Sequence, residues 1–260
     1  MLDEIAATNR RHWDEAVQER EGATVPWLNL DRDALRRYAS GAAVPAEIEE
    51  SLRGDYPAHV LADVAGKDVL CLANGGGQQS AVFGLLGACV TVVDLCEGQL
   101  AGDRAAAAHY GYEIATVCTD MRELSCLPDA SFDLVFQGPS MAWVPDAREV
   151  YRGVARVLRA GGLYRVHFTN PAVEFAHEEW DGVGYLITRP YAERVRHTPG
   201  EAFQFRHPLE EIFNGLIELG LAIRCVEEDL YGLPDSATVP GSWDHSGSYL
   251  VGFWVVAQKG

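Results

Sequence analysis

The stretch "CLANGGGQQS", residues 71–80, sets three glycines between an apolar run and a helix-like one. Glycines that leave a strand let backbone N–H groups approach a ligand closely and aim the start of the next helix at it. A tight strand-to-helix turn needs the same residues, so the loop gains meaning only from the residues that close the later apolar runs. Asp94 closes the second apolar run, where a carboxylate accepts hydrogen bonds from both hydroxyls of a ribose, although a lone Asp at a strand end is more often a cap than a ligand. Asp120 and Met121 come after the third run, the place for a polar contact and an apolar lid on an adenine ring, with a helix cap ahead of "MREL" as the alternative for Asp120. Gln137, Gly138 and Ser140 come after the fourth run, near the reacting end of such a ligand. Taken in order, these features are more specific than any one of them.

The elements that must carry these residues are compact β-prone runs at 67–73, 88–94, 112–118, 132–138 and 162–169. Helix-like stretches separate them at about 78–86, 97–109 and 146–159, the last closed by "RAGG" with a basic turn and a glycine stop. That alternation predicts an open α/β sheet, most of it parallel, whose strands are buried on both faces. Residues 1–65 read as short helices punctuated by Pro26, Gly41, Pro45 and Pro57. After residue 170 comes an inserted hairpin or loop, then a helix in "PLEEIFNGLIELG", then strands around 221–231 and 248–257 that suit an antiparallel edge. The expected division is a helical cap or lid at 1–65 and a main domain at 66–260, with 171–207 as a substrate-side insertion.

Bulk properties narrow the partners. A formal charge of −17, from 38 acidic and 21 basic side chains, repels a phosphate backbone, which argues against nucleic acid. No apolar run reaches the length of a membrane span, and "MLDEIAATNRRHWDE" lacks a secretory core, so a soluble cytoplasmic protein is expected, monomer or homodimer. Cys71, Cys89, Cys96, Cys118, Cys126 and Cys225 show no zinc spacing and read as buried thiols.

Over residues 66–170 the chain resembles the class I S-adenosylmethionine-dependent methyltransferases, in particular the small-molecule group called type 11. The blocks "DVLCLANGGGQQS", "VTVVDLCEGQL", "CTDMRELSCLPDASFDLVFQG" and "VYRGVARVLRAGGLYRVHF" match that family's motifs in order. The resemblance implies a seven-stranded, mostly parallel Rossmann-like sheet with helices on both faces, S-adenosylmethionine as methyl donor, S-adenosylhomocysteine as product and a small-molecule acceptor. It places Ala73, Gly75 and Gly77 beside the donor's amino acid moiety, Asp94 at the ribose, Asp120 and Met121 at the adenine and Gln137 near the methionine portion. Asn74, Gln79, Leu95 and Gln99 complete the expected cofactor-binding set. Two departures stand out, because the family carries an acid where this chain has Cys71 and a glycine where it has Ala73. Gln78 and Gln79 are available for amide contacts or are first-turn surface residues.

Two other functions remain open. One is an NAD(P)-dependent oxidoreductase, although G-x-G-x-x-G counted from Gly75 and Gly77 reaches Ser80 instead of a third glycine. The other is a non-catalytic module that binds S-adenosylmethionine. For methyl transfer the sequence offers His207 as first candidate base, Asn170 as a second polar candidate, and His177, His12 and His59 behind them; His167 reads as packed within the fifth strand. Trp13, Trp27, Tyr38, Tyr56, Trp143, Tyr185 and Tyr191 either wall a pocket or pack the cap onto the sheet. His177, Glu178, Glu179 and Asp181 in "HEEWD" read as a solvated acidic turn, and no metal is inferred.

Overall fold

A computed structural model describes residues 2–46, 52, 55–176, 180–198, 200–229, 233 and 238–260. The main sheet contains β1 (Asp68–Leu72), β2 (Cys89–Asp94), β3 (Ile114–Cys118), β4 (Phe132–Gln137), β5 (Leu158–Phe168), β8 (Leu221–Glu228) and β9 (Phe253–Lys259). A separate pair, β6 (Val195–Arg196) and β7 (Gln204–Phe205), forms a short antiparallel hairpin within the expected insertion. The strand order in the main sheet is β3-β2-β1-β4-β5-β9-β8. The first five strands pair in parallel. β9 runs antiparallel to both its neighbours, so the reversed strand lies inside the sheet and β8 forms the edge.

Helices cover both faces. α1 (Glu4–Glu19) starts at Asp3, whose carboxylate accepts from Ala6 N at 2.8 Å, and α2 (Arg32–Ala39) starts in the same way at Asp31. α3 (Ala58–Leu61), α4 (Gln79–Leu85), α5 (Glu97–Tyr110), α6 (Ala147–Val157), α7 (Leu209–Glu218) and α8 (Trp243–Gly247) succeed them in chain order. The helix expected over 146–159 stops at Val157, and "RAGG" lies inside β5 because Leu158 pairs with Phe132 while Gly161 adopts φ 78°. Among the described residues, no helix is long and apolar enough to cross a membrane.

The sheet separates two apolar cores. On one face α6 and α7 pack Val150, Tyr151, Val154, Ile212 and Leu216 against Val135, Tyr164 and Val255. On the other, the N-terminal segment and α4 pack Leu35, Tyr56 and Phe83 against Val69, Phe136 and Trp254. Tyr56 stacks on Phe136 at 5.2 Å between centroids, which seats the N-terminal segment directly on β4. α1 crosses α5 where Gly98 leaves room, since a Cβ there would stand 2.9 Å from Val17 Cγ1.

The start of α4 is pressed against α5 just as closely. A Cβ on Gly102 would stand 2.7 Å from the carbonyl oxygen of Gly76. In an unpacked helix interior, glycine to alanine stabilises by about 0.5–1 kcal/mol. Here the sign is expected to reverse: Gly102→Ala should lower stability by about 1–3 kcal/mol through overpacking against fixed backbone, read from urea denaturation midpoints.

Candidate active site

The carboxyl ends of β1, β2, β3 and β4 meet on one side of the sheet, where ligands of open α/β sheets bind. There they border a cavity of about 230 Å³. Its floor is Ala73, Asn74 and Gly75 after β1, Asp94 and Leu95 after β2, Asp120 and Met121 after β3, and Pro139 and Ser140 after β4. Gln78 and Gln79 line it from the start of α4, Gln99 from α5, and Ala6, Asn9 and Trp13 from α1 as a roof. Asn9 holds that roof, donating to the carbonyl of Trp143 at 2.9 Å and accepting from Phe203 N at 2.7 Å.

The chain makes this floor by doubling back at Ala73 and Gly75, whose φ angles are 48° and 72°. A Cβ on Gly75 would stand 2.5 Å from Ala23 O, so glycine is required by contact as well as by conformation. Gln78 fastens the same contact from the other side, donating to Gly22 O at 2.8 Å and Val25 O at 2.9 Å. Asn74 ties the β1 loop to the β4 loop: its amide donates to Phe136 O at 2.7 Å and its side-chain oxygen accepts from Gly138 N. Gly77 does not border the cavity, because it packs under Gly102 and Pro26 and accepts from Trp27 N. Cys71, at the position of the family's acid, is wholly buried within β1.

Three residues that line the cavity carry acceptors with capacity to spare. Asp94 is 9% exposed and takes Cys96 N on one oxygen at 2.8 Å; burial raises its pKa to about 6 against the pull of neighbouring backbone N–H groups. The side-chain oxygens of Gln79 and Gln99 are buried and have no partner among the described residues. Asp120 is clasped by Arg122, whose Nη2 lies 2.6 Å from Oδ2, and Arg122 reaches on to Asp3 at 2.8 Å. The guanidinium thus joins Asp120 to Asp3, the cap of α1, and its pKa is raised by both carboxylates. No helix starts at Asp120; it accepts from Arg122 N at 2.9 Å within a turn. Arg122 escapes sequence reasoning because "MREL" reads as a helix start.

Several sequence candidates lie elsewhere. Gln137 is fully buried beneath the cavity, donating to Ser140 Oγ at 3.1 Å and to Met121 Sδ at 3.4 Å and accepting from Tyr164. His207 donates through Nε2 to Met141 O at 3.0 Å, and burial lowers its pKa; it stays outside the large cavity. Asn170 accepts from Ala172 N at 3.0 Å in the turn after β5 and lines neither cavity described. His12 packs against Trp13 and Trp143, and exposed His59 pairs with Glu227 at 3.2 Å. Of the aromatics, Trp13 and Trp143 reach the cavity, whereas Trp27 and Tyr56 pack together in the cap. His177, Glu178 and Glu179 lie outside the described residues, and Asp181 accepts from Val183 N and Gly184 N in a turn. His167 packs within β5 against Trp254 as expected, and it also meets Asp229 at 2.5 Å and borders a second cavity beside Trp143.

Comparison with known proteins agrees with this arrangement. Residues 70–166 match a family model described as a methyltransferase domain. The chain is 31% identical over 243 residues to an uncharacterized methyltransferase of Bacillus subtilis, covering 89% of this chain and 93% of that one. It is 36% identical over 97 residues to a ubiquinone biosynthesis O-methyltransferase of Idiomarina loihiensis, covering 37% of this chain and 40% of the relative. Its fold is similar to that of an S-adenosylmethionine dependent methyltransferase from Mesorhizobium loti, with a TM-score of 0.63 at 24% identity over 81% of this chain and 96% of that one.

The Asn74 bridge makes a measurable claim about how the floor is held. Asn74→Ala leaves Gly138 N and Phe136 O unpaired in a buried site, which is expected to cost about 1–3 kcal/mol in a denaturation experiment. Amide exchange at residues 73–77 and 138–140 should rise together in the variant, because one side chain spans both loops.

Proposed function

The chain belongs to the methyltransferase family, and on that premise we propose that the large cavity takes S-adenosylmethionine in one orientation for transfer of its methyl group to a small-molecule acceptor. Adenine lies at Met121 beside Asp120, the ribose hydroxyls donate to Asp94, and the amino acid end sits over Ala73 and Gly75. The observation that carries this reading is the set of unfilled acceptors. A ribose diol matches the Asp94 carboxylate, and an ammonium group brings the N–H donors that the side-chain oxygens of Gln79 and Gln99 lack. These two amides stand where the family's acid is absent and offer dipoles in its place. When bound, S-adenosylmethionine supplies a sulfonium methyl open to in-line displacement.

The chain's own residues then have three tasks. The doubled-back loop at Ala73–Gly75 and Asp94 hold the donor's two ends, which sets the line of attack. Pro139, Ser140 and Trp143 border the side from which an acceptor comes. α1, latched by Asp3 to Arg122, excludes water from above; we assign residues 1–65 a closing role and 171–207 the framing of the acceptor side. Gln137, Asn74 and Gly77 act by holding the floor. Hydride transfer has less support, because Ser80 at the third glycine position is buried against Asp103 instead of facing a ligand. With its acidic composition and no candidate membrane helix among the described residues, we read the enzyme as cytoplasmic, a monomer or homodimer acting on metabolites.

Two measurements test this. Asp94 must be ionised to accept from the ribose, and burial raises its pKa from 3.8 to about 6 in the free protein. S-adenosylhomocysteine affinity, measured calorimetrically, should therefore be level at pH 7–8 and fall by about tenfold per pH unit below 6. Asp94→Asn should abolish that slope and weaken binding by about 1–3 kcal/mol at pH 7.5. An affinity in the variant equal to that of the parent would remove Asp94 from the site. Independently, S-adenosylhomocysteine should slow amide exchange across α1; unchanged protection there would deny residues 1–65 a closing role.

A further inference from the structure

Beside Trp143 a second cavity of about 140 Å³ adjoins the first, with Pro139 and Trp143 bordering both. One wall is the pair His167 and Asp229. Antiparallel pairing of β9 with β5 and β8 brings the two residues together from opposite neighbours: His167 lies opposite Trp254, and Asp229 follows Glu228, which lies opposite Phe253. Gly252 sits where they meet: a Cβ there would stand 2.7 Å from His167 Nε2 and 2.8 Å from Asp229 Oδ2. Asp229 N also donates to Gly252 O at 3.0 Å. The imidazole donates through Nε2 to the carboxylate, and the ring stands edge-on to Trp254 at 5.1 Å. Its Nδ1 is buried and has no partner among the described residues. A buried lone pair left unfilled costs about 1–3 kcal/mol, so a histidine held this way is poised for a donor that arrives from outside.

The rest of the cavity decides what kind of donor. Its described lining residues include Ala142, Val173, Leu250 and Trp143 and no lysine or arginine, so no countercharge awaits an anionic group. Burial raises the Glu174 carboxyl to about 8, leaving it protonated at neutral pH and able to donate. An apolar cavity of roughly 150 Å³ holds a benzene-sized molecule, which sets the scale for this one. A base helps only a nucleophile that must shed a proton during attack. Amines attack through a free lone pair and thiols ionise readily, whereas a hydroxyl needs the help.

We propose that this cavity is the methyl-acceptor site, that it takes an uncharged hydroxyl compound of about single-ring size, and that the His167 and Asp229 pair is its general base. The proposal rests on the donor orientation given above. In the step, the acceptor oxygen forms a bond to the methyl carbon as the bond from carbon to sulfur breaks, and that electron pair returns to sulfur. The hydroxyl proton passes to Nδ1 of His167, leaving an imidazolium beside the Asp229 carboxylate. His167 is the catalytic residue and Asp229 a positioning residue that sets its tautomer. Among the described residues, Asp55, whose carboxyl feels the charges of both, Glu174 in the cavity lining, and the Arg165 to Glu227 ion pair beside Trp254 are the other charged or titratable groups near the pair.

The test uses the unaltered protein saturated with S-adenosylhomocysteine, and phenol as probe. Nitrogen NMR of the imidazoles should report His167 as the Nε2-protonated tautomer. Its Nδ1 resonance should shift on titration with phenol and stay fixed with toluene, which lacks the hydroxyl, and with benzoate, which carries a charge. With S-adenosylmethionine and phenol, His167→Gln should slow anisole formation by about 10²-fold or more while changing S-adenosylhomocysteine affinity by less than about twofold. Asp229→Asn should slow it as well and mix the His167 tautomers, a signature that a merely structural role would not produce. Intact donor-product binding with no response of His167 to phenol would overturn this inference alone. Failure of the unaltered protein to bind S-adenosylhomocysteine would overturn the donor orientation and this inference with it.

Discussion

The structure depends on how closely the glycine loop meets three neighbours at once. Gly75 touches the backbone of Ala23, Gly76 stands against Gln99 and Thr24, and Gly77 lies under Gly102 and Pro26, each at a distance that leaves no place for a Cβ. The loop is therefore the junction of the sheet, α5 and the N-terminal segment. A residue that looks like ligand chemistry in isolation serves here as the point where three elements are allowed to converge. The shape of the large cavity results from that convergence, since its floor, side and roof come from the three elements.

In the proposed donor orientation, the convergence also explains how a loop without the family's acid can suit a cationic donor end. Cys71 is sealed in β1, and the buried amide oxygens of Gln79 and Gln99 supply negative dipole ends from α4 and α5 instead. Amide dipoles stay neutral when the site is empty, so they add no like-charge repulsion to Asp94, which burial already pushes towards protonation. A third carboxylate nearby would raise that pKa further. The acidic field of the whole molecule still favours a cation, with the strong charges of the site kept at Asp94, Asp120 and Arg122.

The reversed strand β9 has a comparable place on the other side. By lying between β5 and β8 it brings Gly252 beside His167 and Asp229, residues far apart in the chain. Trp143 then borders both cavities, tied through its carbonyl to Asn9 of the roof. The position of α1 and that of Trp143 are thus linked by one side chain.

Much of this was legible from residue order. β1 and β4, in the middle of the sheet, showed as continuous apolar runs because both of their faces are covered, and Asp94, Asp120 and Met121 could be placed because residues at the carboxyl ends of parallel strands all emerge on one side. His207 and Gln137 were misjudged because each is consumed locally, one by the Met141 carbonyl and one by Ser140 and Tyr164, and sequence does not record where a polar side chain spends its hydrogen bonds. Arg122, Trp143 and Asp229 stayed hidden for a related reason: their roles exist only across long separations, to Asp3, Asn9 and His167. By itself, then, the sequence determined the alternating sheet and the side on which its ligand residues gather, because local periodicity and strand direction decide those. Only the tertiary structure decided which polar groups keep a free hydrogen bond, because that depends on partners brought close by packing and not by spacing along the chain.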